Sequence, residues 1–190
     1  MAEAAGTRQM TAAEYLAWER QQEARYEFHL GEVFLMSGGS ARHAFLAARC
    51  VTELSNRLPQ DCKVMTSDLR VAASPGSHYV YADAVAVCGE IEIAEGTNDV
   101  LANPCVVVEV LSPSTEKFDR GEKWEAYQRL EHLRDYLLVS QRAQRVEHYR
   151  RAGDTWRYQA LTGGDEVQLA DGTRLPVDAL YRGAFDLPGA

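Results

Sequence analysis

Two acids stand where acids are costly. Glu109 interrupts the apolar run Cys105-Val-Val-Val-Glu-Val-Leu111, and Asp83 interrupts Tyr79-Val-Tyr-Ala-Asp-Ala-Val-Ala-Val87. An ionised carboxylate inside such a run is expensive to bury unless it is paired or holds a cation. The ordinary alternative for Glu109 is a strand-end residue facing solvent or paired with an arginine, and for Asp83 a turn or cap residue. Two of them, on successive core strands, can converge on one divalent cation, because hard cations choose carboxylate oxygens. Lys123 is the third candidate. Asp119, Lys123 and Tyr127 fall at i, i+4 and i+8, along one side of a helix. Lys123 also begins the stripe continued by Ala126, Tyr127 and Leu130, which should face a sheet. A solvated lysine is the ordinary alternative. Glu27, between Tyr26 and Phe28, and His43, behind Gly38-Gly39, are weaker candidates, since a lone histidine is more often structural.

These residues need elements to carry them. Thr11-Ala-Ala-Glu14 is a capping-box pattern and predicts a helix through about Gln22. Residues 1–10 read as a loose leader, and residues 11–190 as one domain. Tyr26 to Met36 reads as two strands around a turn at Gly31. A helix from Ala41 to Leu58 follows from the spacing of Phe45, Leu46, Val51, Leu54 and Leu58, with Pro59 ending it. Strands are expected at Cys62 to Thr66, Leu69 to Ala72 and Tyr79 to Val87. The Cys105–Leu111 run, apolar on both faces except at Glu109, reads as a central strand. A helix over Asp119 to Leu130 and a strand over Asp135 to Ser140 come next. From Arg145 to Phe185 the pattern is short antiparallel strands with turns at Gly153-Asp154, Gly163-Gly164 and Asp171-Gly172. The economical architecture is α/β, with a mixed sheet.

The 190-residue chain carries 20 Lys and Arg against 28 Asp and Glu, a net charge of −8, which argues against a histone-like coat on nucleic acid. A local basic groove stays open: Arg142, Arg145, Arg150 and Arg151 with His148 form the most basic stretch and could track a phosphate backbone. An exposed hairpin of solvated charges is the equal alternative. Cys50, Cys62, Cys88 and Cys105 form no C-x-x-C pair and have no histidine cluster beside them, so a zinc site is not expected. They read as reduced, mostly buried thiols of a cytoplasmic protein, with a disulfide the minor alternative. No run is long enough to span a membrane, and no signal peptide is expected. G-x-x-x-x-G-K-[ST], G-x-G-x-x-G after a strand, G-x-S-x-G and H-E-x-x-H are absent. Their absence disfavours nucleotide-driven, dinucleotide, α/β-hydrolase and zincin chemistry.

Glu-Val-Leu-Ser-Pro-Ser-Thr at 109 to 115, followed by Asp119, Lys123 and Tyr127, resembles the bacterial Uma-type restriction endonucleases of the PD-(D/E)XK nuclease superfamily. Tyr26-Glu27, Gly31-Glu32, His43, Ser67-Asp-Leu-Arg-Val71, Tyr81-Ala-Asp83 and Tyr136-Leu-Leu-Val139 fall in that family's order, so the likeness runs from about Met10 to Phe185. The resemblance implies a restriction-endonuclease-like mixed sheet flanked by helices, with added antiparallel strands at the C-terminus. It also implies Mg²⁺-dependent hydrolysis of DNA phosphodiesters, with Mn²⁺ as a substitute. Asp83, Glu109 and the carbonyl of Val110 are then the metal ligands. Lys123 stands in for the motif lysine, whose position is Leu111 here. The proline expected before the first acid is Ala82. Glu27, His43, Asp119 and Tyr127 are supporting residues. A homodimer is one assembly the chain allows. A non-catalytic binding or assembly module that keeps the fold is the competing reading, and a hydrolase of another phosphodiester is a third.

Overall fold

A computed structural model of the chain describes residues 9–36 and 38–189. Of the expected leader only Gln9 and Met10 fall among them, and Met10 is already part of the core. Helix α1, Ala12–Glu19, starts at the expected capping box: Thr11 accepts from Glu14 N and the Glu14 carboxylate reaches back to Thr11 N. Strands β1, Tyr26–His29, and β2, Glu32–Leu35, form a hairpin. Helix α2, Ala41–Arg57, is capped by the Ser40 hydroxyl, which accepts from His43 N. Then come β3, Cys62–Thr66; β4, Arg70–Ser74; β5, His78–Val80; β6, Ala84–Cys88; β7, Val100–Leu101; and β8, Val106–Leu111. Two short helices, α3, Glu116–Arg120, and α4, Glu122–Tyr127, lead to β9, Asp135–Ser140. The chain continues through β10, Arg145–Ala152; β11, Thr155–Thr162; β12, Glu166–Gln168; β13, Arg174–Pro176; and α5, Val177–Tyr181.

The strands make a six-stranded sheet in the order β11-β10-β9-β8-β6-β3, a five-stranded sheet in the order β2-β1-β5-β4-β7, and the β12-β13 pair. The six-stranded sheet is mixed: β8 and β9 are parallel, and its other pairs are antiparallel. All six residues of β8 are buried. Alternation sends Val106, Val108 and Val110 to one face, against Leu46, Cys50 and Leu54 of α2. It sends Val107 and Leu111 to the other, with Ala126, Tyr127 and Leu130 from the α4 segment. Glu109 therefore faces the α4 side.

Four expectations need correction. The strand expected over Tyr79 to Val87 is two strands in two different sheets, β5 and β6, and residues 81–83 carry the chain from one sheet to the other. The helix expected over Asp119 to Leu130 breaks at Gly121, where an added Cβ would lie 3.1 Å from the Lys117 carbonyl oxygen. The C-terminal segment adds α5, packed on α2, to its strands. Cys62 and Cys88 are not reduced thiols: the in-register antiparallel pairing of β3 and β6 sets them face to face, and they form a disulfide. Cys50 is free and buried, and Cys105 is free and half-buried. A spacing of 26 residues across two intervening strands carries no sign of that register.

The β1–β2 hairpin turns on Leu30 and Gly31, both with positive φ, 48° and 96°. Two-residue hairpin loops of this hand want Asn or Gly at the first position, and a left-handed leucine costs about 1–2 kcal/mol. Leu30 is 64% exposed, so little packing compensates. Leu30→Asn should raise the unfolding free energy by about 1 kcal/mol, read as a higher denaturant midpoint at unchanged slope. A lower midpoint would show that the Leu30 side chain contributes more than its backbone conformation costs.

Candidate active site

The crossing between the sheets and the end of β8 meet at a cavity of about 320 Å³. Its wall includes Glu27, His43, Asp83, Glu109, Asp119 and Lys123, together with Met36 and Ser112. Glu109 projects from β8 toward α4. Lys123 projects from the first turn of α4, and its Nζ lies 3.0 Å from Glu109 Oε1, 3.1 Å from Glu27 Oε1 and 3.7 Å from Asp119 Oδ1. It also donates to the Tyr81 carbonyl at 3.2 Å. The ammonium is 3% exposed as a residue, yet it has three carboxylates around it. Burial works against its charge, but Glu109, Glu27 and Asp119 outweigh burial and hold its pKa well above the ordinary lysine value.

The acids are held by different means. Asp83 Oδ2 accepts from Val110 N at 2.7 Å, which ties the crossing segment to β8. His43 Nε2 stands 3.5 Å from the same oxygen. The His43 ring occupies the space beside Gly39, where an added Cβ would come within 2.8 Å of it. Tyr127 OH donates to Glu109 Oε1 at 3.1 Å. Glu27 Oε1 accepts from Tyr81 N at 2.9 Å. Tyr136 OH fixes the α3 end by donating to the Asp119 carbonyl at 2.9 Å. Burial raises the pKa of Glu109 well above the ordinary carboxylate range, and Asp119, Asp83 and Glu27 add repulsion that Lys123 only partly offsets. Burial likewise raises Asp83, against the pull of His43 and the Val110 amide. Asp119 is pushed up to about 6, mainly by burial.

Three carboxylates thus share one lysine, with a fourth, Asp83, beside His43 in the same cavity. Glu109 Oε2 and Asp83 Oδ1 accept no hydrogen bond among the described residues. That donor set fits Mg²⁺, which takes one or two carboxylates and fills its remaining positions with water and substrate oxygens. Among the described residues no group of three or more His, Cys, Asp or Glu side chains is placed to hold a metal ion by itself.

The sequence model of the Uma2 family, described as "Putative restriction endonuclease", matches residues 12–178. The chain belongs to the Uma2 family. Two relatives from Synechocystis sp. (strain PCC 6803), the uncharacterized proteins slr1290 and sll1609, are each 34% identical to it. Those matches span 177 residues, 92% of either chain, and 165 residues, 84% of this chain and 91% of the relative. The crystal structure of a "putative nuclease belonging to DUF820" from Anabaena variabilis superposes with a TM-score of 0.76, covering 92% of this chain and 99% of that one at 17% identity. That likeness shows a shared fold.

In this Uma2 chain the eight residues singled out from the sequence, Glu27, His43, Asp83, Glu109, Val110, Asp119, Lys123 and Tyr127, stand in or against one cavity. Lys123 reaches Glu109 although its helix is broken. The basic stretch does not assemble as a phosphate track. His148 is buried and bonded to Asp135 at 2.8 Å, and Arg151 stacks on Trp156 and donates to three main-chain carbonyls. No arginine lines the cavity. Sequence reasoning missed Tyr81, whose two backbone groups serve Glu27 and Lys123 and whose hydroxyl donates to buried Glu19 at 2.8 Å. Glu19 in turn is paired with Arg70 at 2.7 Å. Backbone roles leave no residue-type signal.

Ionising Asp119 costs more in the folded chain, where its pKa is about 6, than in the unfolded chain near 3.8. Its contribution to stability is therefore fully present below pH 4 and is lost as pH rises from about 4 to about 6. The loss amounts to about 3 kcal/mol at most. In chelator, Asp119→Asn should melt several degrees above wild type at pH 7.5 and with it at pH 4. An equal difference at both pH values would show that the ionised form of Asp119 carries no such penalty.

Proposed function

We propose that this chain is a metal-dependent endonuclease that hydrolyses DNA phosphodiester bonds. The observation that carries the reading is the buried Glu109–Lys123 pair at the end of β8, next to an Asp83 whose outward oxygen is unbonded and faces the same cavity. Both acids line the same cavity, whose volume is about 320 Å³. Membership of a family described as restriction endonucleases supports the same chemistry.

Asp83, Glu109 and the carbonyl of Val110 are the groups that would hold Mg²⁺, or Mn²⁺ in its place. When bound, such an ion lowers the pKa of a coordinated water and offsets charge on the phosphate. The chain's own residues do the rest. Lys123 stays protonated among its carboxylates, so it acts by charge and hydrogen bonding and is not the general base. It donates toward the attacking oxygen and the phosphoryl oxygens as their charge grows. The Tyr127 hydroxyl and the Tyr81 amide hold Glu109 and Glu27 in place on either side of Lys123. His43, beside Asp83, orients that carboxylate and is placed to donate to a phosphate oxygen.

Purified protein should nick or cut DNA with Mg²⁺ or Mn²⁺ and lose the activity in chelator. Asp83→Ala and Glu109→Ala should abolish cleavage. Lys123→Met should keep metal binding and lose turnover by a factor of about 10² or more, the scale for removing one preorganised donor. Equal cleavage by wild type and both acid variants would mark a contaminating nuclease. Metal and DNA binding with no cleavage of any strand would assign the chain to the non-catalytic module.

A further inference from the structure

Three of the four cysteines meet at one end of the six-stranded sheet, away from the cavity. Cys62 opens β3, Cys88 closes β6 and Cys105 directly precedes β8. These strands are neighbours in the order β8-β6-β3, so Cys88 lies between the other two. Cys62 and Cys88 face each other across the antiparallel ladder, Cα atoms 3.9 Å apart, and are joined. Cys105 is a free thiol whose Sγ lies 3.6 Å from Cys88 Sγ. Its position is fixed by the backbone: Cys105 N donates to the Ala86 carbonyl at 2.8 Å, and its thiol to the same oxygen at 3.2 Å. Cys88 is exposed, and Cys62 and Cys105 are half-buried. Cys50 faces the core from α2 and is outside this group.

We propose that Cys62, Cys88 and Cys105 form a thiol–disulfide exchange centre in which Cys105 displaces Cys62 from Cys88. A disulfide isomerises when a thiolate in contact with it attacks one of its sulfurs, and the contact is already present here. The step balances within the chain. Cys105 gives up its proton to solvent, and its sulfur forms a bond to Cys88 Sγ. The Cys62–Cys88 bond breaks, and Cys62 leaves as a thiolate that takes up a proton. One disulfide and one thiol are present before and after, so no oxidant or reductant is consumed. Cys88 is the shared partner because only it borders both of the others.

The exchange moves the cross-link from the edge pair β3–β6 to β6–β8. Those two strands follow Asp83 and carry Glu109 respectively, so the second linkage ties together the strands that hold the two acids, at their far ends. Its exposure makes Cys88 the sulfur that a small thiol of the glutathione class would meet first.

Wild-type protein is incubated at pH 8 with an alkylating reagent, and the alkylated cysteines are mapped by non-reducing digestion and mass spectrometry. Exchange predicts that both Cys105 and Cys62 become alkylated in the folded protein, since each is released in one of the two linkage states. Cys50 should label only in denaturant and serves as the control for unfolding. Labelling of Cys105 alone, with Cys62–Cys88 intact throughout, would overturn the proposal. A second measurement uses Cys62→Ser treated with oxidised glutathione: a Cys88–Cys105 disulfide peptide is expected. Persistent mixed glutathione disulfides at Cys88 and Cys105, without that peptide, would also overturn it. Because both readouts are covalent maps, neither depends on nuclease activity.

Discussion

One ammonium group organises the centre of this protein. Lys123 Nζ is shared by Glu109, Glu27, Asp119 and the Tyr81 carbonyl, which come from β8, β1, α3 and the crossing between β5 and β6. Without it, three buried or half-buried carboxylates would face each other with no protein cation among them, which is the most costly arrangement of charge a fold can hold. With it, the acids are still under-compensated. Natural proteins commonly accept such local instability at sites of chemistry.

The two sheets are joined at the same point. The chain leaves the five-stranded sheet at Val80 and enters the six-stranded sheet at Ala84, and Tyr81 and Asp83 between them line the site. Tyr81 holds Glu27 and Lys123 through its backbone, and its hydroxyl reaches the Glu19–Arg70 pair. Ala82 is buried without polar groups, so it fills the turn and adds no charge. Asp83 pins the crossing to β8 through the Val110 amide. With Ala82 before it, the acid is anchored by this hydrogen bond.

Much of this was visible in the residues. Asp83 and Glu109 are conspicuous because a carboxylate in a valine-rich strand violates the usual alternation of burial and charge, and such violations concentrate at functional sites. Lys123 was visible through helical spacing, and the capping box and the Ala41 helix through local hydrogen-bond chemistry. What stayed hidden depends on distant pairing. Glu27 meets Lys123 across 96 positions of chain. The Cys62–Cys88 link depends on strand register, and the break at Gly121 depends on a 3.1 Å approach to one carbonyl. The β5–β6 division was hidden because an apolar run interrupted only by Asp83 looks the same whether it stays in one sheet or passes between two.

The pairing of Glu27 with Lys123 has a consequence for biosynthesis. The hairpin that bears Glu27 leaves the ribosome long before α4, and the β9 strand that seats α4 later still. The ensemble is therefore complete only when nearly the whole chain has been made and both sheets have closed. Non-local closure of this kind is slow compared with the formation of α2 or the β1–β2 hairpin. A nascent or truncated chain can carry every acid of the centre yet lack the ammonium that holds them together. If the assembled centre cuts DNA, the cell is shielded from that cutting until translation is essentially finished, with no inhibitor protein needed for the interval.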